Sequence, residues 1–417
     1  MLRRLQLGAL ALALLVAALS TGAPFLFFLL YLAIVIIGGS YLLARFGLAD
    51  LEAGYVLDRQ QAEVGEALRV TYTVRNLSRL PKPWLEAYNP STLPVPLPGR
   101  ALSLGVRGER SWAAKVKLTR RGLYRVDPLI LRTADPFGLF ESSASVGTPT
   151  SLLVHPRVEG IPGWHLPPAA IEGAHAHPVR TAQTTPHATS IRPYEPGDAY
   201  NRIHWRTSAR LGELQVKEFD LEQTADVWLF VDLDSRAHVG SGDESTIEYG
   251  VRAAAAIGAR ALLENRTVGI TAAGARSIVL QPDRGRRQYQ KMLQLLAAVQ
   301  PDGQQPLVDV LIEALPRLRR GMTAVVITPS IENAWIKPLS SLRGRGVSTV
   351  VVLLDAAGFE RAATGPGTPE HEDSGLRALR AVRHGLAEHD LLATTIVPGR
   401  ALAEQLTTPR TGQQLAV

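Results

Sequence analysis

Residues 191–235 read IRPYEPGDAYNRIHWRTSARLGELQVKEFDLEQTADVWLFVDLDS. Upstream of this stretch the hydrophobic pattern has period two; downstream, buried apolar runs alternate with helical patterns. Within it, Pro196 presets φ and Gly197 permits φ > 0, so Glu195-Pro196-Gly197-Asp198 is a turn. Asp198 is then expected to cap a short helix. On that helix Asp198, Arg202, Arg206 and Arg210 fall at successive i,i+4 positions, an acid-led arginine stripe. Trp205 and Ala209 make a second stripe expected to pack, and Gly212 stops the helix. Residues 214–219 read as a strand and 227–231 as a buried one. So many charged, aromatic and turn-forming residues predict a surface for a partner or ligand. The alternative is a domain joint tied by internal ion pairs.

From 225 onward strands alternate with helices, as in a parallel sheet with crossover connections. Ser245 and Glu248 form a capping box ahead of a helix carrying Ile247, Val251, Ala254 and Leu262. Residues 267–271 and 277–281 predict a hairpin at the sheet edge. Helices are expected at 288–299 and 307–318, and another around Leu339 and Leu342. The near-continuous apolar runs 323–328 and 347–354 predict buried strands. Residues 362–374 read as a polar, mobile Gly/Pro insertion. A strand at 394–397 and a short helix around Leu402 close the fold, with a frayed tail after Thr407.

Upstream, Leu68, Val70, Tyr72 and Val74 alternate with Arg69, Thr71, Thr73 and Arg75, the pattern of a half-buried strand. Residues 112–118 do the same. Short strands punctuated by turn-formers predict an all-β, immunoglobulin-like antiparallel sandwich over 52–157. In Asp135-Pro136-Phe137-Gly138-Leu139-Phe140 a tight turn with both phenylalanines in the core is expected, the alternative being a functional lip. Residues 158–190 read as a linker. Its His165, His175, His177 and His187 match no closed metal site, and the chain has no cysteine to complete one.

The N-terminus is apolar. Residues 5–19 and 25–43 are hydrophobic runs separated by Thr21-Gly22-Ala23-Pro24. They predict a transmembrane helical hairpin over 1–46, contacting lipid through residues 5–44. Arg3, Arg4 and Arg45 flank it, which places both ends, and hence the soluble domains, on the cytoplasmic side of the inner membrane as a multi-pass protein. A cleaved signal peptide is the competing reading of the first run. Across 417 residues the net charge is +7, but acids and bases alternate through most of the soluble chain. A nucleic-acid partner, which calls for a clustered basic face, is therefore not expected.

Arg192, Tyr194, Gly197-Asp198, Arg202, Ile203-His204-Trp205, Ala209-Arg210, Lys217 and Glu218 together resemble the signature of the bacterial family called domain of unknown function 58. Arg120 to Tyr124 and Asp135 to Phe140 match further pieces of that family. The resemblance implies membrane-anchored proteins associated with MoxR-type AAA+ ATPases. The strand and helix order from 225 to 406 is similar to a von Willebrand factor A-type domain, a Rossmann-type α/β fold. That likeness implies a divalent cation held by Asp-x-Ser-x-Ser at the end of the first strand, with a threonine and an aspartate from later loops. Here the segment reads Asp232-Leu233-Asp234-Ser235-Arg236. Asp232 fits, Asp234 replaces a serine and Arg236 sets a cation where the next ligand belongs. Gln304-Gln305-Pro306-Leu307 offers no threonine, and Thr328-Pro329-Ser330 offers no aspartate. Asp232, Asp234 and Ser235 are thus at most a degenerate Mg2+ site, and no cofactor is expected. The alternative is pairing of the two aspartates with arginines.

No phosphate loop, dinucleotide fingerprint, zincin motif or serine elbow is present. The chain is therefore expected to be an adaptor or scaffold, with 191–224 as its signature segment, 225–406 as its α/β domain and 407–417 as a flexible tail. A protein partner would meet Asp198, Arg202, His204, Trp205, Arg206, Arg210, Lys217 and Glu218. Chaperone-like or envelope-assembly work follows from the family resemblance. The alternative function is a hydrolase of an envelope or phosphorylated substrate, with a polar centre at Asp198, His204 and Asp232. A purely structural tether is a third.

Overall fold

The computed structural model describes residues 2–166, 190–195, 198, 200, 203–218, 226–365, 369–406 and 410–411. The chain forms two compact units, residues 1–157 together with 293–298, and the remainder from 158 onward.

The first unit begins with two helices, α1 (Leu2–Thr21) and α2 (Pro24–Gly47), joined by Gly22-Ala23. Pro24 stands at the start of α2, where its missing N–H costs nothing and its fixed φ suits the helix. Among the described residues α2 alone is long and apolar enough, by length and composition, to cross a membrane. The apolar part of α1, Ala11–Thr21, is shorter. Of the expected transmembrane hairpin, one candidate span is thus supported among the described residues.

Ten strands follow: β1 (Leu51–Leu57), β2 (Gln61–Glu63), β3 (Ala67–Asn76), β4 (Lys82–Tyr88), β5 (Arg100–Leu104), β6 (Glu109–Lys117), β7 (Gly122–Val126), β8 (Leu129–Ala134), β9 (Glu141–Val146) and β10 (Thr150–His155). They pair as β1-β3-β6, β5-β4-β8-β9 and β2-β10-β7. The period-two reading holds on β3, where Leu68, Val70, Tyr72 and Val74 are buried and Arg69, Thr71 and Arg75 are exposed. One core draws on all three sheets, with Val70 from the first, Leu85 and Leu131 from the second and Leu152 from the third. Tyr72 lies opposite both Tyr55 and Trp112, its ring stacked at 5.2 Å on the indole. Burial, reinforced by Tyr55, pushes its hydroxyl up to about 12. The β2–β10 pairing is parallel, a departure from the all-antiparallel expectation.

Phe137 corrects a second expectation. The Asp135 carboxylate accepts the N–H groups of Phe137 at 2.9 Å and Phe140 at 2.6 Å, closing the turn. Phe137 is left 61% exposed, and Phe140 is only half-buried. Apolar type alone pointed inward; the turn chemistry decided otherwise.

The second unit opens with β11 (Ser190–Pro193), α3 (Trp205–Leu211) and β12 (Gln215–Glu218). Then come β13 (Val227–Val231), the hairpin β14 (Gly240–Ser241) and β15 (Glu244–Ser245), α4 (Thr246–Leu263), β16 (Val268–Ala273), β17 (Ser277–Asp283) and α5 (Gly285–Ala298), whose residues 293–298 count with the first unit. The rest is α6 (Leu307–Ala314), β18 (Thr323–Thr328), α7 (Ile336–Gly344), β19 (Ser348–Leu354), α8 (Ala356–Thr364), α9 (Pro369–Glu388), β20 (Leu392–Ile396), α10 (Leu402–Gln405) and β21 (Arg410–Thr411). Seven strands form one sheet in the order β17-β16-β13-β18-β19-β20-β21. Pairing is parallel from β16 through β20, and the two edges are antiparallel. Every residue of β13, β18 and β19 is buried, which is why these strands read as near-continuous apolar runs. Ser245 caps α4 by accepting the Glu248 N–H, as its spacing predicted. Two expectations fail here. Residues 369–374 belong to α9 and not to a loop, and residues 410–411 pair with Leu392 and Ala393 where a frayed tail was expected.

Candidate functional site

β11 and β12 form an antiparallel ribbon in the register Ser190↔Glu218 to Pro193↔Gln215. Ile203, buried, bridges to Val216 beside it. The helix begins only at Trp205. His204 is its N-cap, its Nδ1 accepting the Thr207 N–H at 3.3 Å and lying 2.7 Å from the Thr207 hydroxyl. Gly212 ends it in a left-handed turn at φ 74°. Ser208 ties the helix to the ribbon, accepting the Gln215 N–H at 2.8 Å. With that inner face committed, the outer face carries Trp205 at 65% exposure, exposed Leu211, and exposed Arg206, Ala209 and Arg210. Among the described residues neither Arg206 nor Arg210 has an ion-pair partner.

The arginine stripe therefore survives only in part. Asp198 lies off the helix, and Arg192 of β11 donates to both of its carboxylate oxygens at 2.8 Å, so its carboxylate is engaged there and His204 caps the helix instead. Arg202 lies outside the described residues, as do the side chains of Lys217 and Glu218 and the histidines at 175, 177 and 187. The Trp205/Ala209 stripe faces outward and does not pack.

A second feature opens at the carboxyl ends of β13, β18 and β19, the switch point where open α/β sheets bind ligands. It is a crevice of about 300 Å3 whose walls include Asp232, Asp234, Arg236, Glu332, Trp335 and Asp355. The parallel register sets Val231 beside Ile327, so Asp232 and Thr328 emerge together. The Thr328 hydroxyl donates to Asp232 Oδ2 at 2.6 Å, and the Asp234 N–H donates to Oδ1 at 3.0 Å. His238 Nε2 reaches the Asp232 carbonyl at 2.8 Å, and its Nδ1 lies 3.0 Å from the Thr246 hydroxyl. Gly303 packs backbone to backbone on this loop. A Cβ there would sit 2.5 Å from the Ala273 carbonyl oxygen, so no other residue fits.

The two aspartates are pushed in opposite directions. Burial raises Asp232 above the usual carboxylate range, and its hydrogen bonds from Thr328 and Asp234 only partly offset this. Asp234 is held below that range by the Arg236 guanidinium, which outweighs burial. Arg236 Nε and Nη2 donate to the two Asp234 oxygens at 2.9 and 2.6 Å. These residues do not fit a magnesium cage. Asp232 resists charging, Asp234 already carries a guanidinium, and no group of three or more carboxylate or imidazole ligands forms among the described residues. Titrating Mg2+ is expected to leave the melting temperature unmoved, whereas a site filled at about 100 times its Kd would add about 2.7 kcal/mol, visible by calorimetry. The polar centre of Asp198, His204 and Asp232 is not gathered at this crevice, since neither Asp198 nor His204 lines it.

Sequence reading overlooked Thr328, His238, Trp335 and Asp355. A signal for Thr328 existed: 227–231 and 323–328 are adjacent buried runs, and a polar residue closing each one meets its neighbour in a parallel sheet.

Residues 190–368 match the family model described as "Protein of unknown function DUF58". Uncharacterized protein YeaD of Bacillus subtilis is 26% identical over 313 residues, 72% of this chain and 75% of its own length. Uncharacterized protein Rv1480 of Mycobacterium tuberculosis is 27% identical over 190 residues, 44% of this chain and 60% of its own length. Among solved structures, the CARDB domain of the PF1109 protein from Pyrococcus furiosus is 16% identical and covers 25% of this chain and 92% of that one. Its TM-score of 0.20 is too low to carry an argument.

Proposed function

We propose, from the match of residues 190–368 to the DUF58 family model, that the chain is a membrane-anchored adaptor of that family that docks a protein partner on the outer face of α3. One observation carries the reading. A seven-residue helix, stapled from within by His204, Ser208 and Gly212, holds Trp205 and two guanidinium groups out to solvent. An indole flanked by arginines is the composition of a binding hot spot, and it stabilises nothing in the fold where it stands. The partner is an acidic protein surface, and by family resemblance a MoxR-type AAA+ ATPase in chaperone-like or envelope-assembly work.

In this reading α2 is the anchor and both units are cytoplasmic. One span in place of two removes the loop-charge argument for the side. Placement then rests on Arg45 at the exit of α2 and on the cytoplasmic partner. The second unit is read as a von Willebrand factor A-type domain; its sheet order, with the edge hairpin strand β17 antiparallel, supports this. The first is read as an immunoglobulin-like sandwich, supported by the core shared among its sheets.

Affinity capture from detergent extract tests the proposal. Wild-type chain is expected to retain an AAA+ ATPase, and Arg206→Glu with Arg210→Glu to lose it through like-charge contact with the acidic surface. Retention by that double variant at the wild-type level would refute docking through α3.

A further inference from the structure

We propose that the face of the β-rich unit beside the end of α2 lies within the bilayer interface and admits phospholipid acyl chains to its groove. The inference rests on the reading of α2 as a membrane span and adds a second, previously unassigned lipid contact. The groove holds about 970 Å3 and is walled by Leu42, Leu43 and Phe46 of α2 and by Leu80, Trp84 and Pro136. Trp84 is 57% exposed, and Leu80, Phe46 and Phe137 are exposed as well.

Helix length sets the depth of this face. The 24 residues of α2 extend about 36 Å at 1.5 Å per residue, against a hydrocarbon core of about 30 Å. Tyr41 lies 17 residues past Pro24, about 26 Å along the axis and still inside that core. Tilting the helix, or moving Pro24 outward, only deepens it. The Tyr41 ring meets the edge of Phe140 at 5.7 Å, so the 136–140 turn is drawn to lipid depth with it.

The polar groups of the groove agree with that depth, because in lipid they must be satisfied from within. The Lys82 ammonium donates at 2.6 Å to the Phe46 carbonyl in the last turn of α2, which also accepts the Ala49 N–H at 3.2 Å. Asp135 is occupied by the N–H groups of Phe137 and Phe140. Apolar walls and an outward indole remain, the chemistry of an interfacial anchor. The outward turn of Phe137 thereby gains a reason that water contact does not give.

The chain has no cysteine, so single-cysteine variants each carry one fluorescent label. Trp84→Cys reports the groove and Phe137→Cys the exposed turn at its rim, Ile34→Cys reports mid-span, and Leu123→Cys is the aqueous control. Leu123 is exposed and lies opposite Leu153, which pairs with Gln61, beyond the end of β1 farther from α2. The full chain is reconstituted in phosphatidylcholine–phosphatidylglycerol vesicles and probed with lipid-linked nitroxide and aqueous iodide. Labels at 137 and 84 are expected to shift blue, to be quenched by nitroxide and to lose iodide quenching, with 123 showing the reverse. Iodide access at 137 and 84, with 34 protected, would overturn the groove contact and leave the span standing. Iodide access at 34 would overturn both. Protection of 84 from both quenchers would mean that the groove holds protein, a second copy or a partner, and would also overturn the proposal.

Discussion

Replacing Trp205 with alanine is expected to weaken partner binding about 30-fold, some 2 kcal/mol, and to leave the melting temperature unchanged. The two halves of this expectation have separate causes. The indole is 65% exposed and belongs to neither hydrophobic core, so its removal opens no cavity. The groups that hold α3, His204 at its start, Ser208 on its inner face and Gly212 at its end, are untouched. Alanine is also the better helix former, so the local backbone loses nothing. Ser208→Ala is the informative contrast: it strips the Gln215 N–H of its acceptor in a buried position and should destabilise by about 1–3 kcal/mol. Titrating labelled partner against the solubilised chain, beside calorimetry of the same samples, measures both. Early melting of Trp205→Ala with binding reduced in proportion would favour a structural tether over a docking helix.

Asp232→Ala is expected to lower stability by about 2–5 kcal/mol, because two buried donors, the Thr328 hydroxyl and the Asp234 N–H, lose their acceptor together. Asp232→Asn should behave differently. Its Oδ1 still accepts the Asp234 N–H, and its Nδ2 donates to Thr328 once that hydroxyl turns round. The sign of the pH dependence follows from the raised folded value. Stability owed to neutral Asp232 is full below the unfolded carboxylate value of about 3.9 and declines as pH rises through the folded value. Asparagine does not ionise, so its advantage over wild type should grow with pH from about 4 and then level off. Asp234 runs the other way: held low by Arg236, it contributes above its unfolded value and loses that contribution as pH falls through the folded one. Melting curves of the three proteins across acid and neutral pH check this. Equal behaviour of Asn and Ala would show that the two hydrogen bonds carry little.

The fully buried strands were the most legible part of the fold. Val227–Val231 is apolar throughout and Thr323–Thr328 is apolar between its terminal threonines, as both faces of a parallel sheet are buried, and the strand ends coincide with the ends of the predicted runs. The short helix was misread because i,i+4 spacing is a local signal and Asp198 was claimed from a distance by Arg192 on β11. α9 was missed although its marks were present: Pro369 at the first helical position, followed by Glu370, Glu372 and Asp373, is a start signal. The neighbouring Gly365-Pro366-Gly367 outweighed it. In the site, the aspartate–arginine alternative was legible because Asp234 and Arg236 are two apart. The Thr328 contact, 96 positions from Asp232, depends on which strands are neighbours, and no local pattern records that.

The short β21 also bears on how the chain is handled. By pairing with Leu392 and Ala393 it occupies hydrogen-bonding groups that β20 would otherwise present as a bare template. A truncation at residue 406, or a bulky fusion placed before Arg410, would uncover that row and invite strand-to-strand aggregation between copies. Two residues, Arg410 and Thr411, thus serve as a guard on the rim of the sheet.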